Sequence, residues 1–393
     1  MIAWSARRKI AAKIIREHET RLKALGLTEW RLRHVRNVIS YGSRFSAFER
    51  NPVMVLALRV LWTFTVIRAR MYSVSPYDDP ILSYFLNDIA KRVEKILSQK
   101  RIALPVRVLI ANWPIGSFEG YALKASEGFR AITIYDGIFT FSHILTKILL
   151  TRLHIGIGEL KIVQDPAKYN SEFPFDHKDQ RYSERLSDLL IATLVRGDPH
   201  EAVYFDSPHT RERVESLVNA MQIFVVSHEY GHCVLHSGHI TTTKQQQELE
   251  ADRFALDMTL SITAKPQFGV AYRDPITPAD AVVGIDLFFL AAQICFEAAA
   301  VFDKRWLYAA RATSTHPSLL TRRAAILSDF GRMHSESDLN VAMRESEILR
   351  RIAHRLLIGA RRSLEHCRDK DMTLHPVWMN RAPANWPKSE RPK

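Results

Sequence analysis

Along most of this chain apolar residues recur every three to four positions, the spacing of one helical face. Ile10, Ile14 and Ile15 do so inside a basic stretch over 5–50, which Gly26 interrupts. The apolar run over 53–70 predicts another helix, and the turn cluster Ser75-Pro76-Tyr77-Asp78-Asp79-Pro80 ends that region. Over 81–98, Ile81, Phe85, Ile89, Val93 and Ile96 fall on one side of an amphipathic helix. The period then changes. Val106–Ile110 and Ala131–Tyr135 read as short strands, the second with alternating Ile132 and Ile134. Gly137 ends that strand, and an apolar helix is expected over 138–153. Residues 155–210 are polar and carry Pro166, Pro174, Pro199 and Pro208, so they read as an insertion with one helix near 182–195. Helices are expected over 211–237, from about 246, and over 279–311, 318–333 and 337–366. Beyond Leu374 four prolines predict an extended tail. The pattern gives an α+β chain, mostly helical, with a small sheet. It divides into a helical N-terminal region over 1–75, a main domain over 76–335 and a helical C-terminal extension over 336–393.

Composition adds size and charge. At 393 residues, 47% hydrophobic and 25% charged, the chain can bury a full core. Its formal charge of +13 sits at the ends. Residues 1–50 hold 12 Lys/Arg against 4 Asp/Glu, and 349–393 hold 11 against 4, which leaves the middle near neutral. Basic ends of this kind suit an anionic membrane or nucleic acid, and equally a solvated helical face. Cys233, Cys295 and Cys367 lie far apart and form neither a metal-binding nor a disulfide pattern, which points to a reducing compartment. Arg7, Arg8, Lys9 and Lys13 break any signal-peptide core near the N-terminus. The expectation is a cytoplasmic chain with peripheral membrane contact left open. Val53–Ile67 is short and carries Arg59, while Ala281–Phe302 carries Asp286 and Glu297. A charge at mid-bilayer costs about 3 kcal/mol, so both runs read as buried helices.

The chemistry centres on His228-Glu229-Tyr230-Gly231-His232. Histidines four apart on a helix share a face one turn apart and can converge on one Zn²⁺. Glu229 between them is poorly placed to be a ligand and well placed to take a proton from water at the metal. Gly231 costs about 1 kcal/mol in helix propensity, and a small residue there admits a neighbouring backbone. Sixteen residues on, Glu248-Leu249-Glu250-Ala251-Asp252 offers a third ligand. Glu248 and Asp252 share a helical face, so Glu248 can complete the set and Asp252 can orient a ligand histidine. Glu250 points about 160° away and is the weaker ligand candidate. His236, one turn past His232, reads as a helix-end residue or a supporting partner rather than a ligand. Cys233 reads as core.

HExxH followed by ExxAD resembles the gluzincin metallopeptidases that include the HtpX heat-shock protease and the CAAX prenyl endopeptidases. Glu119–Leu123 with Ala131–Phe139 resembles that family's hairpin leading into a helix, and Ser314-Thr315-His316-Pro317-Ser318 with Arg322 and Arg323 resembles its THP segment. The likeness spans about 81–330. It implies a zincin-like domain and hydrolysis of protein or peptide bonds with Zn²⁺ as cofactor, and it brings His316 toward the site as an oxyanion donor. A helix N-terminal role for His316 is the other reading. Tyr135, Tyr230 and Arg322 are candidate site lining. The family's short link before the HExxH helix is replaced here by 155–210. The spacing His228, His232, His236 also resembles regulator-cleaving phage-type metallopeptidases, which keeps a toxin-like protease with one intracellular target as a rival reading. A non-enzymatic protein bound to a membrane or nucleic acid is a further one, though an intact Glu229 argues against it. A strand at 131–135 with a free edge is expected to receive an extended substrate. Nothing in the sequence sets the oligomeric state.

Overall fold

The computed structural model describes residues 2–24, 26–29, 31–32, 60, 63–113, 120–126, 129–158, 177–199, 202, 210–236, 242–264, 275–308 and 316–379. Much of the two basic ends, over 33–59 and 380–393, lies outside these residues, as do 159–176 of the expected insertion. The chain forms two compact units: Met1–Ile115 with Glu119–Asp136, and Gly137–Lys393 with Gly116–Phe118.

The first unit contains α1 (Ile2–Ala24), α2 (Pro80–Gln99) and the strands β1 (Arg107–Trp113), β2 (Gly120–Ser126) and β3 (Phe129–Tyr135). Gly26 adopts φ +67° directly after α1, a conformation that costs glycine little. Ile14, His18 and Leu22, one helical turn apart, are buried, and Ile14 packs with Ala111 and Ala131. Asp79 caps α2 by accepting from the amides of Ile81 and Leu82, with Pro80 at the first helical position. The Asn112 side chain pairs with the Asp79 backbone, accepting from its N at 3.1 Å and donating to its O at 2.9 Å. Asp78 accepts from the amides of Val74 and Ser75 at 2.7 and 3.0 Å. Arg31 donates to Tyr77 O at 2.8 Å and meets Asp136 at 2.6 Å. The turn at 74–80 is therefore an anchored, buried part of this unit. A boundary at residue 75, expected because Pro and Asp often mark linkers, is not where the units divide.

The sheet order is β1-β3-β2. β3 runs parallel to β1, from Arg107↔Phe129 to Trp113↔Tyr135, and antiparallel to β2, from Gly120↔Ile134 to Ser126↔Phe129. The expected hairpin is present, but β3 is the central strand and both of its edges are paired. It cannot receive an extended substrate by strand addition, contrary to the expectation from sequence. Its near-continuous burial over Ala131–Tyr135 is the mark of that central position.

The second unit is helical: α3 (Asp136–Gly158, from Gly137 on), α4 (His177–Leu194), α5 (Arg211–Leu235), α6 (Lys244–Thr263), α7 (Pro278–Ala299), a 3₁₀ turn at Lys304–Tyr308, α8 (Leu319–Met333), α9 (Glu336–Asp369) and the short α10 (Pro376–Met379). α5 packs against α6 and α7, α7 against α9, and α9 against α4. At Gly284 of α7 an added Cβ would lie 2.4 Å from Leu217 O of α5, so only glycine allows these backbones to approach. α7 is long and apolar enough to cross a membrane by length and composition, yet most of it is buried within the unit. Its Asp286 is met by Arg323 of α8 at 2.7 Å and by Arg350 of α9 at 2.6 and 3.0 Å.

The helix expected near 182–195 is present as α4, and its Leu186, Leu189 and Leu190 are fully buried. The C-terminal region departs from expectation in two ways. The C-terminal region is not a separate extension, because Leu349, Ile352, Ala353, Leu356, Ala360 and Leu364 of α9 build the core. The tail just past Leu374 is helical and anchored: His375 N donates to Leu194 O at 2.8 Å, and the buried Trp378 donates to Thr193 O at 3.0 Å. Its prolines hid one aromatic anchor.

Candidate metal centre

The buried helix α5 presents His228 and His232 on one face, and α6 presents Glu248 and Asp252 on one face of its own. Gly231 brings the two helices together, since a Cβ there would lie 3.1 Å from Ala251 Cα and 3.2 Å from the Phe254 ring. The packing reason for a small residue, read from sequence, is met by α6. α6 starts where Thr243 accepts from Gln246 N at 3.2 Å, a cap that sets the helix and so the height of Glu248.

Three side chains face one another, two through Nε2 and one through both carboxylate oxygens. His228 Nε2 and His232 Nε2 are 3.1 Å apart, His232 Nε2 and Glu248 Oε1 3.3 Å, and His228 Nε2 and Glu248 Oε2 3.5 Å. A tetrahedral ion with bonds of roughly 2.0–2.1 Å holds its donors roughly 3.3–3.4 Å apart. Two imidazoles and a carboxylate in this triangle fit zinc in chemistry and in size. Among the described residues no fourth ligand joins the group.

Asp252, 1% exposed, accepts from His228 Nδ1 at 2.9 Å. With a metal held at Nε2, that bond would keep the proton of His228 on Nδ1. Arg322 of α8 holds Asp252 in turn, with Nε 2.7 Å from Oδ2 and Nη2 2.6 Å from Oδ1. Its guanidinium also lies over the Phe289 ring at 5.4 Å and within 3.7 Å of Glu248. From sequence Arg322 is a candidate for site lining only. The signal was its place one turn into the helix after Pro317, but its partner lies 70 residues away.

On the other side, His232 Nδ1 lies 3.1 Å from His236 Nδ1, and His236 Nε2 lies 3.0 Å from Glu250 Oε2. Glu250 is thus turned away from the donor triangle, as its angle on the helix predicts. His316 comes near the centre, with Nε2 3.6 Å from Glu248 Oε1 and a side chain 58% exposed. Cys233 and Tyr230 are buried in the core, and Tyr135 is buried in β3 of the first unit.

The charges are strongly coupled. Burial opposes the charge on His228, but the bonds to Asp252 and Glu248 outweigh it and push the imidazole up to about 10. Burial likewise opposes ionised Glu248, yet His228 and His232 hold it below the usual carboxylate range. Asp252 stays low against its burial because of Arg322. Glu229 behaves differently: burial pushes its carboxyl up, and the two histidines offset this only in part. Burial lowers His316. Comparison with protein-family models, curated proteins and solved structures gives no match.

Proposed function

We propose that this chain is a zinc-dependent endopeptidase with a zincin-like centre, in which His228, His232 and Glu248 hold the ion and Asp252 orients His228. The observation that carries this reading is the convergence of His228 Nε2, His232 Nε2 and the Glu248 carboxylate, with separations of 3.1, 3.3 and 3.5 Å. Zinc bound there supplies a Lewis acid and makes water a nucleophile near neutral pH. Glu229 is the general base. It adjoins a ligand on α5 but is rotated about 100° from it, so it reaches the water more readily than the ion. It takes the proton of the attacking water and passes it to the leaving amine. His316 offers a hydrogen-bond donor to the developing oxyanion. The substrate class is a protein or peptide.

The test is metal analysis of the purified chain beside cleavage of a peptide library. About one zinc per chain is expected, with cleavage abolished by a chelator and restored by added zinc. Metal-free protein that cannot be loaded, or cleavage that persists under chelation, would overturn the reading.

A further inference from the structure

We propose that His236 and Glu250 are positioning residues for the second metal-binding histidine, acting as a two-step relay that fixes the ring of His232; this rests on the metal reading above. The two histidine ligands are supported in different ways. His228 reaches a buried carboxylate directly, through Nδ1 and Asp252. On the Nδ1 side of His232 stands the next ring of the same helical stripe, His236, 3.1 Å away.

If His232 Nε2 binds a metal, these contacts give the protons a direction. Its single proton then sits on Nδ1 and is donated to His236 Nδ1, which must be the acceptor. The proton of His236 therefore sits on Nε2, where Glu250 Oε2 accepts it at 3.0 Å. Gln246 extends the relay, donating to Glu250 Oε1 at 3.2 Å. His236 caps α5 and its side chain is buried, so its ring has little freedom to leave this arrangement. Glu250, 38% exposed, ends the relay at the surface. The placement also explains why α6 carries two glutamates two residues apart. Glu248 faces the donor triangle and Glu250 faces the supporting ring.

Groups that orient a metal-binding histidine typically contribute 10–100-fold to metal affinity. His236→Ala should weaken zinc binding by about that factor, measured by competition with a chromophoric chelator. Glu250→Ala, at a position 38% exposed, should weaken it by a smaller factor in the same direction. His236→Gln should recover most of the loss, because its amide oxygen accepts and its amide nitrogen donates with nearly the spacing of the two ring nitrogens. The cobalt-loaded Glu250→Ala protein should show a shifted visible spectrum, since a rotated imidazole changes the ligand field. A merely structural helix-end role would lower the melting temperature of the metal-free variants and leave affinity and spectrum unmoved, and that result would overturn the proposal. The parent titration keeps the two claims apart. A parent that takes up no zinc defeats the metal reading, whereas a parent that binds zinc no tighter than either alanine variant defeats the relay alone.

Discussion

Arg322 grips Asp252 with two parallel hydrogen bonds, 2.7 Å from Nε and 2.6 Å from Nη2, while Asp252 holds His228 at 2.9 Å. A fork of this shape needs a planar guanidinium. Arg322→Lys should keep the charge, lose the second bond and loosen zinc about 10-fold or more, the usual effect of disturbing a ligand's support. Arg322→Ala should also cost about 3–5 kcal/mol of stability, because Asp252 would stay buried without its guanidinium partner. Chelator competition and thermal melts measure the two effects. Unchanged affinity in both variants would reduce Arg322 to a packing role.

The site was legible in sequence where its geometry is local. His228 and His232 are four apart on one helix, and so are Glu248 and Asp252, so helical periodicity alone gives each pair a shared face. Arg322 escaped that logic because its place beside Asp252 is set by how α8 lies on α6. The same limit applies to the fold. The period of Ile132 and Ile134 marks a strand, but nothing local says that β1 and β2 pair with both of its edges. Likewise, the prolines around Trp378 suggested an extended tail, because the carbonyl that Trp378 donates to belongs to Thr193.

Gly231 and Gly284 make a paired test of helix spacing. Ala gains about 1 kcal/mol in helix propensity over Gly, while overpacking a core costs about 1–3 kcal/mol. At Gly231 the added Cβ meets Ala251 Cα at 3.1 Å, so Gly231→Ala should be close to neutral in stability. It should still weaken zinc binding, because it pushes α5 off the helix that carries Glu248. At Gly284 the Cβ would meet a backbone oxygen at 2.4 Å, which cannot rotate away. Gly284→Ala should lower the melting temperature clearly. Equal melting losses in the two variants would contradict the contact distances.

Asp286 joins α7, α8 and α9 through Arg323 and Arg350. Asp286→Leu makes α7 more apolar and should nonetheless destabilise the folded chain by roughly 3–5 kcal/mol, since Arg323 and the buried Arg350 lose their carboxylate. A denaturant titration measures it. A stabilised variant would mean that apolar packing outweighs the ion pairs here.

Asp78 sets a pH dependence for the first unit. Burial raises its carboxyl from 3.8 to about 7, against the amides of Val74 and Ser75 and the nearby Arg31, with Asp136 adding to the rise. His18 lies 3.8 Å away. The folded state therefore holds a proton that the unfolded chain releases above 3.8. Stability from this group is fully present below 3.8, declines as pH rises toward 7, and is gone above it. Melting should be lower at pH 8 than at pH 5, and Asp78→Asn should narrow that gap because an amide keeps an acceptor without titrating. A gap of the same size in the variant would assign the effect to another group.

Glu229→Gln separates chemistry from metal binding. The change keeps size and a carbonyl acceptor at a buried position, so folding and zinc content should stay close to the parent. It removes the proton acceptor, and cleavage should fall by about 10²–10⁴-fold, the usual contribution of a general acid–base group. His232→Ala and Glu248→Ala should instead lose zinc and cleavage together. Each variant needs its zinc content measured beside its rate, so that a loss of ion is not read as a loss of base. Full cleavage by Glu229→Gln alongside an inactive His232→Ala would show that another group accepts the proton. Full cleavage by both would place the activity outside this centre.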